Sequence, residues 1–150
     1  MERFVAPAGV VLMLTRLREG RTQVLLQRRK NTGFADGLWD LSCSGHVEKD
    51  ESMSDTVLRE CTEELGISLK KQDLRFVCFV HKRDESAVYY YGYFVCGKFE
   101  GVPKIMERNK CDGLLWADID KLPAEVIPDR VEAVKAYKSG ANYFEYGWEK

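Results

Sequence analysis

Net charge is almost absent from this chain: 23 Lys and Arg against 24 Asp and Glu leave -1 over 150 residues. No basic field is present to hold a nucleic acid polymer, and there is no acidic tail. Histidine is scarce, with only His46 and His81. The five cysteines (Cys43, Cys61, Cys78, Cys96, Cys111) are odd in number, widely spaced and never in a Cys-x-x-Cys pair. That pattern argues against a structural zinc site or a disulfide framework. Long apolar runs are also missing. The longest, residues 4–14, holds Pro7 and Gly9 and leads into Thr15-Arg16 rather than a small-residue cleavage site, and it is too short to cross a bilayer. It reads as a buried strand of a reduced, cytoplasmic protein without a membrane partner. With no repeat, low-complexity tract or linker, the expectation is one domain over residues 1–150.

Local patterning supplies the elements. Residues 10–14 and 23–27 flank the polar turn Arg18-Glu19-Gly20-Arg21-Thr22 and read as a hairpin. A short strand is expected at 38–42, after a loop of turn formers. Further strands are expected at 74–81, 87–99 and 114–117. Val57, Leu58, Cys61 and Leu65 recur at helical spacing behind Ser52 and Asp55, a capping box, and ahead of Gly66, a C-terminal stop. A second helix is expected over 126–138. Mixed strands and helices in this order give an α/β class with helices packed on a mixed sheet.

The charge that is present is unevenly placed. Residues 45–67 hold Glu48, Asp50, Glu51, Asp55, Glu60, Glu63 and Glu64 against Lys49 and Arg59, a local -5, so the remainder sums to +4. Glu60, Glu63 and Glu64 lie three and four apart on one side of the first helix, where like charges oppose helix formation. Hard oxygen ligands so gathered suit Mg²⁺ or Mn²⁺; a solvated acidic helix face is the plain alternative.

Written out, Gly45, five residues, Glu51, seven residues and then Arg59-Glu60-Cys61-Thr62-Glu63-Glu64-Leu65-Gly66-Ile67 resemble the Nudix box GX5EX7REUXEEXGU. Every fixed Gly, Glu and Arg is present; Cys61 stands where an aliphatic residue is usual. Trp39, the strand-turn-strand start, Gly101-Val102-Pro103 and Trp116-Ala117-Asp118 extend the resemblance loosely along the chain.

The resemblance implies a Nudix α/β/α sandwich with a central mixed sheet, and a metal-dependent hydrolase of a nucleoside diphosphate linked to another moiety. Glu60, Glu63 and Glu64 would be metal ligands, with Glu60 the first choice of general base and Glu63 beside it in the catalytic set. A backbone carbonyl of Ser44 or Gly45 would join them. Glu107 would be a further ligand, with Glu100 and Asp112 as rivals. Glu51 and Arg59 would form the salt bridge tying loop to helix. Arg28 and Arg29 could meet substrate phosphate, although a solvated strand end is the plainer reading. Tyr89, Tyr91 and Tyr93 share one strand face, where core packing and base stacking compete.

Signatures of the ADP-ribose and dinucleoside polyphosphate types are missing after the box, where Lys82, Arg83, Asp84 and Glu85 stand. A MutT-type nucleoside triphosphate pyrophosphohydrolase is therefore expected, using Mg²⁺ or Mn²⁺ on a small nucleotide, as a monomer or homodimer. The alternatives are an ADP-ribose or nucleotide-sugar hydrolase and, further off, a non-catalytic nucleotide-binding module or an isopentenyl diphosphate isomerase-like enzyme. Cys43 lies near the position of that isomerase's cysteine, but Ser44 intervenes before Gly45-His46, and a one-residue slip in extended chain reverses the side chain's face.

Overall fold

The computed structural model describes residues 1–85 and 87–149. Eight strands and two α-helices follow in the order β1 (Ala8–Arg18), β2 (Arg21–Arg29), β3 (Trp39–Asp40), β4 (Cys43–His46), α1 (Met53–Leu65), β5 (Arg75–Arg83), β6 (Val88–Cys96), β7 (Cys111–Asp118), α2 (Pro128–Ser139) and β8 (Tyr143–Tyr146). The sheet path is β3-β2-β1-β6-β5-β8, with β4 paired to β1 and β7 to β2. β1 runs parallel to β6 and antiparallel to β2 and β4, so the sheet is mixed.

β1 is apolar without alternation because both its faces are covered. Val10, Leu12 and Leu14 pack with Val57, Cys61 and Leu65 of α1. Val11 and Met13 turn to the other face, against Ala133 and Val134 of α2. The sheet therefore lies between two helical layers, the α/β/α arrangement expected. α1 starts at the expected capping box, in which Ser52 accepts from the Asp55 amide and Asp55 accepts from the Ser52 amide. It stops at Gly66, whose φ of 67° places it in the left-handed region.

One expectation changes in detail. The strand read at 38–42 shrinks to β3, which pairs with β2, and a separate strand, β4, follows at 43–46 and pairs with β1. Buried Leu41 and Ser42 carry the chain across, and the Ser42 hydroxyl accepts from the Leu14 amide at 2.7 Å and donates to the Leu25 carbonyl at 2.8 Å. This bridges two strands that separate at that point. The aromatic C-terminal segment supplies β8, which adds in parallel to the edge at β5. All five cysteines are buried free thiols.

Candidate functional site

The divided sheet leaves a cleft of about 680 Å³ between the ends of β2 and β4, α1, β5, β6 and the first turns of α2. Residues four apart on a helix lie one above the other, so Glu60 and Glu64 both reach the cleft. The Glu64 carboxylate accepts from Gln27 Nε2 at 3.1 Å and from the Ser44 amide at 3.3 Å. Burial pushes the Glu64 carboxyl well above the usual carboxylate range, and neighbouring Glu60 pushes the same way against the opposing Gln27 bond. Gly45 is required beside them: a Cβ there would run into the Glu60 carboxylate.

Arg59 organises the acidic rim. Its Nε donates to Glu51 at 2.7 Å and its Nη2 to the same carboxylate at 3.0 Å, the paired geometry of a guanidinium on a carboxylate. Its Nη1 donates to Glu60 at 2.7 Å and to Glu63 at 3.3 Å, and its Nη2 reaches the His46 carbonyl at 3.3 Å. The Arg59 bond, with the Glu48 amide behind it, holds the Glu51 carboxyl down to about 2. The like charges of the helix face are thus compensated mainly by one arginine.

The structure separates residues that the sequence places together. The Glu63 side chain is 54% exposed on Arg59 and does not line the cleft. Glu107 borders the cleft; Glu100 bridges to Ser68 and Asp112 pairs with Arg28, both away from it. Arg29 faces the cleft, where its Nη1 donates to Asp40 at 3.1 Å and its Nε to the Phe34 carbonyl at 2.7 Å. Arg28 points to the opposite side, as alternation along a strand requires, and donates to Asp112 at 2.7 Å. Tyr89 and Tyr91 stand along the cleft at 5.7 Å between rings, with His46 stacked on Tyr89, while Tyr93 is core. Among the described residues no three His, Cys, Asp or Glu side chains are drawn into one cluster that could hold a metal.

A buried ion network that local patterning does not show closes the far end. Arg130 donates from Nε to Asp40 at 2.8 Å, and from Nη1 to Asp129 at 3.0 Å and to the Tyr93 hydroxyl at 2.9 Å. Lys82 Nζ lies 3.3 Å from Asp129. Burial alone would raise the Asp40 carboxyl; Arg130 and Arg29 reverse this and leave it below the usual range. The only trace in the sequence is a pair of adjacent charges, Asp129-Arg130, after Pro128 at the start of a helix.

The model of the NUDIX domain family matches residues 6–137. The chain belongs to the NUDIX family. This chain is 29% identical over 119 residues to a Bacillus subtilis (strain 168) protein named "Putative 8-oxo-dGTP diphosphatase", an alignment covering 79% of the chain and 73% of that protein. It is 24% identical over 110 residues to isopentenyl-diphosphate Delta-isomerase 2 of Aromatoleum aromaticum, covering 72% of the chain and 58% of that enzyme. Among solved structures, a MutT NUDIX hydrolase from Burkholderia pseudomallei superposes with a TM-score of 0.77 at 26% identity, covering 89% of this chain and 98% of that one. The mixed sheet between two helices is therefore the fold of the Nudix hydrolases. Among the described residues of this NUDIX chain, no helix is long and apolar enough to cross a membrane.

Proposed function

We propose that this NUDIX chain is a divalent-metal-dependent MutT-type pyrophosphohydrolase that converts a nucleoside triphosphate to a nucleoside monophosphate and pyrophosphate. The observation that carries the reading is the Glu60–Glu64 pair, two half-buried carboxylates one helical turn apart at the wall of a nucleotide-sized cleft. Such a pair is stabilised by added positive charge. The donor set is all oxygen, with Ser44, Gly45 and Glu107 also lining the cleft. It fits Mg²⁺ or Mn²⁺, which bind through a few carboxylates and keep waters and phosphate oxygens. Glu60, Glu64 and a Ser44 or Gly45 carbonyl would hold the ion with Glu107, and Glu63, which rests on Arg59 outside the cleft, would join them by turning inward.

Such an ion supplies neutralisation of the phosphate oxygens and a lowered pKa for bound water. The chain's own residues do the rest. Glu60 takes the proton of the attacking water at a carboxylate oxygen. Arg59 fixes that carboxylate, and Glu51 fixes Arg59. Arg29 offers its guanidinium to phosphate. Arg28, held outside the cleft, has no such part.

The isomerase-like reading has one supporting observation, the sequence similarity above. Against it, Cys43 is 1% exposed in the core beneath α1, and Ser44 takes the cleft position. A panel of nucleoside triphosphates, oxidised ones included, with ADP-ribose, nucleotide sugars and isopentenyl diphosphate, assayed with Mg²⁺ and with products identified, tests the proposal. Monophosphate and pyrophosphate from a triphosphate is the expected result. Turnover of ADP-ribose or nucleotide sugars alone would replace the substrate, isomerised isopentenyl diphosphate would replace the reaction, and no turnover would leave a binding module.

A further inference from the structure

Gln27 is a buried polar residue that follows the apolar run Val24-Leu25-Leu26 in β2. It points to the same side as Leu25, which packs with Val57, Cys61 and Leu65 of α1. Its backbone is fixed from both sides, by Asp40 of β3 and Leu114 of β7. A buried amide is costly unless its hydrogens find acceptors, so an apolar residue would be the plain choice here. Both hydrogens are taken: Nε2 donates to the Ser42 carbonyl at 3.0 Å and to the Glu64 carboxylate at 3.1 Å. A carbonyl and a carboxylate both accept, which fixes the amide with its nitrogen towards them.

The glutamates around the helix are held in two ways. Glu51, Glu60 and Glu63 all accept from the Arg59 guanidinium. Glu64 accepts instead from neutral donors, the Gln27 side chain and, at 3.3 Å, the Ser44 amide. A neutral donor orients a carboxylate and leaves its negative charge for an added cation, whereas a guanidinium or ammonium in the same place would neutralise it and repel the ion. The second bond of Gln27 anchors this arrangement. Ser42 lies where the chain crosses from β3 to β4, and its hydroxyl ties β1 to β2 there through Leu14 and Leu25. Gln27 thus fastens Glu64 to backbone that is itself fixed.

We propose that Gln27 is a positioning residue: by donating to Glu64 and to the Ser42 carbonyl together, it holds the Glu64 carboxylate oriented without neutralising it, and so sets the affinity of the site for a divalent cation. This rests on the reading that Glu60 and Glu64 seat that cation. Gln27 acts through Glu64.

Binding of Mn²⁺ alone to the full chain, followed by the electron paramagnetic resonance signal of the free ion, reads this without turnover. Gln27→Leu keeps the bulk and loses both donors, and is expected to weaken Mn²⁺ binding by about 10- to 100-fold. Gln27→Lys keeps a donor for the Ser42 carbonyl but brings a positive charge to Glu64, and is expected to weaken binding at least as much. The Mg²⁺ concentration for half-maximal turnover should rise in step, while saturating Mg²⁺ restores kcat to within about threefold, because the ligand itself is still present. A Gln27 with only a structural role would lower Tm and leave Mn²⁺ affinity alone. Mn²⁺ bound by Gln27→Leu as tightly as by wild type would therefore overturn the proposal, whatever its Tm. Wild type that binds no Mn²⁺ would overturn the cation reading and this proposal with it; wild-type binding that both variants retain would overturn this proposal alone. Should Gln27→Leu not fold, Gln27→Asn replaces it: its amide is one methylene too short to reach both acceptors, so the same loss of Mn²⁺ affinity is expected, and an unchanged affinity counts against the proposal in the same way.

Discussion

Replacing Arg130 by Met removes the centre of the buried network while keeping its bulk and apolar stem. Three bonds go at once: 2.8 Å to Asp40, 3.0 Å to Asp129 and 2.9 Å to the Tyr93 hydroxyl. Lys82 remains for Asp129. Asp40, 0% exposed, keeps Arg29 at the cleft edge, the Leu41 amide and a long bond from the Ser44 hydroxyl. Breaking one side of a buried ion pair costs about 3–5 kcal/mol, because the remaining charge stays desolvated. For a chain of this length each kcal/mol lowers Tm by about 2–4 °C, so the loss should be about 6–20 °C. Urea unfolding should show the midpoint falling with an unchanged slope. Arg130→Lys, which keeps the charge but not the fork, should fall between. A loss of less than about 1 kcal/mol in Arg130→Met would refute the reasoning, since that is the scale of an exposed pair.

Gly45→Ala should lower kcat by about a hundredfold with little change in KM, because the added Cβ displaces the Glu60 carboxylate; steady-state kinetics check it. Glu63→Gln should cost less turnover than Glu64→Gln, since Glu63 sits half-exposed on Arg59 outside the cleft; equal losses would show that Glu63 swings inward. Asp55 is held down to about 2 by Lys71 and by the amide and hydroxyl of Ser52. Its contribution to stability is complete above the ordinary 3.8 and is lost as pH falls through about 2. Asp55→Asn should therefore flatten the acid side of the stability–pH curve between those values, as followed by thermal melts.

What was legible in the sequence was local. The apolar run announced a buried strand, though its first residues, Phe4 and Val5, lie exposed ahead of β1, and Ser52, Asp55 and Gly66 announced both ends of α1, because caps and periodicity act within a few residues. The box pattern located the acidic rim, but helical spacing put Glu60, Glu63 and Glu64 on one face without saying which reach the cleft. That depends on where Gly45 lets β4 approach α1. The pairing of Asp40 with Arg130 spans 90 positions, and no local signal records it. For the same reason Lys82 read as one charge in a polar segment. β8 was hidden because its register comes from β5, more than sixty residues earlier.

We propose that the Glu60–Glu64 pair seats the cation that drives phosphoanhydride hydrolysis. The most direct test is pyrophosphate release from a nucleoside triphosphate with saturating Mg²⁺, by wild type and by Glu64→Gln, which removes a charge with little change of shape. A fall of about a hundredfold or more with an unchanged fold is expected; pyrophosphate released by Glu64→Gln at the wild-type rate would contradict the account.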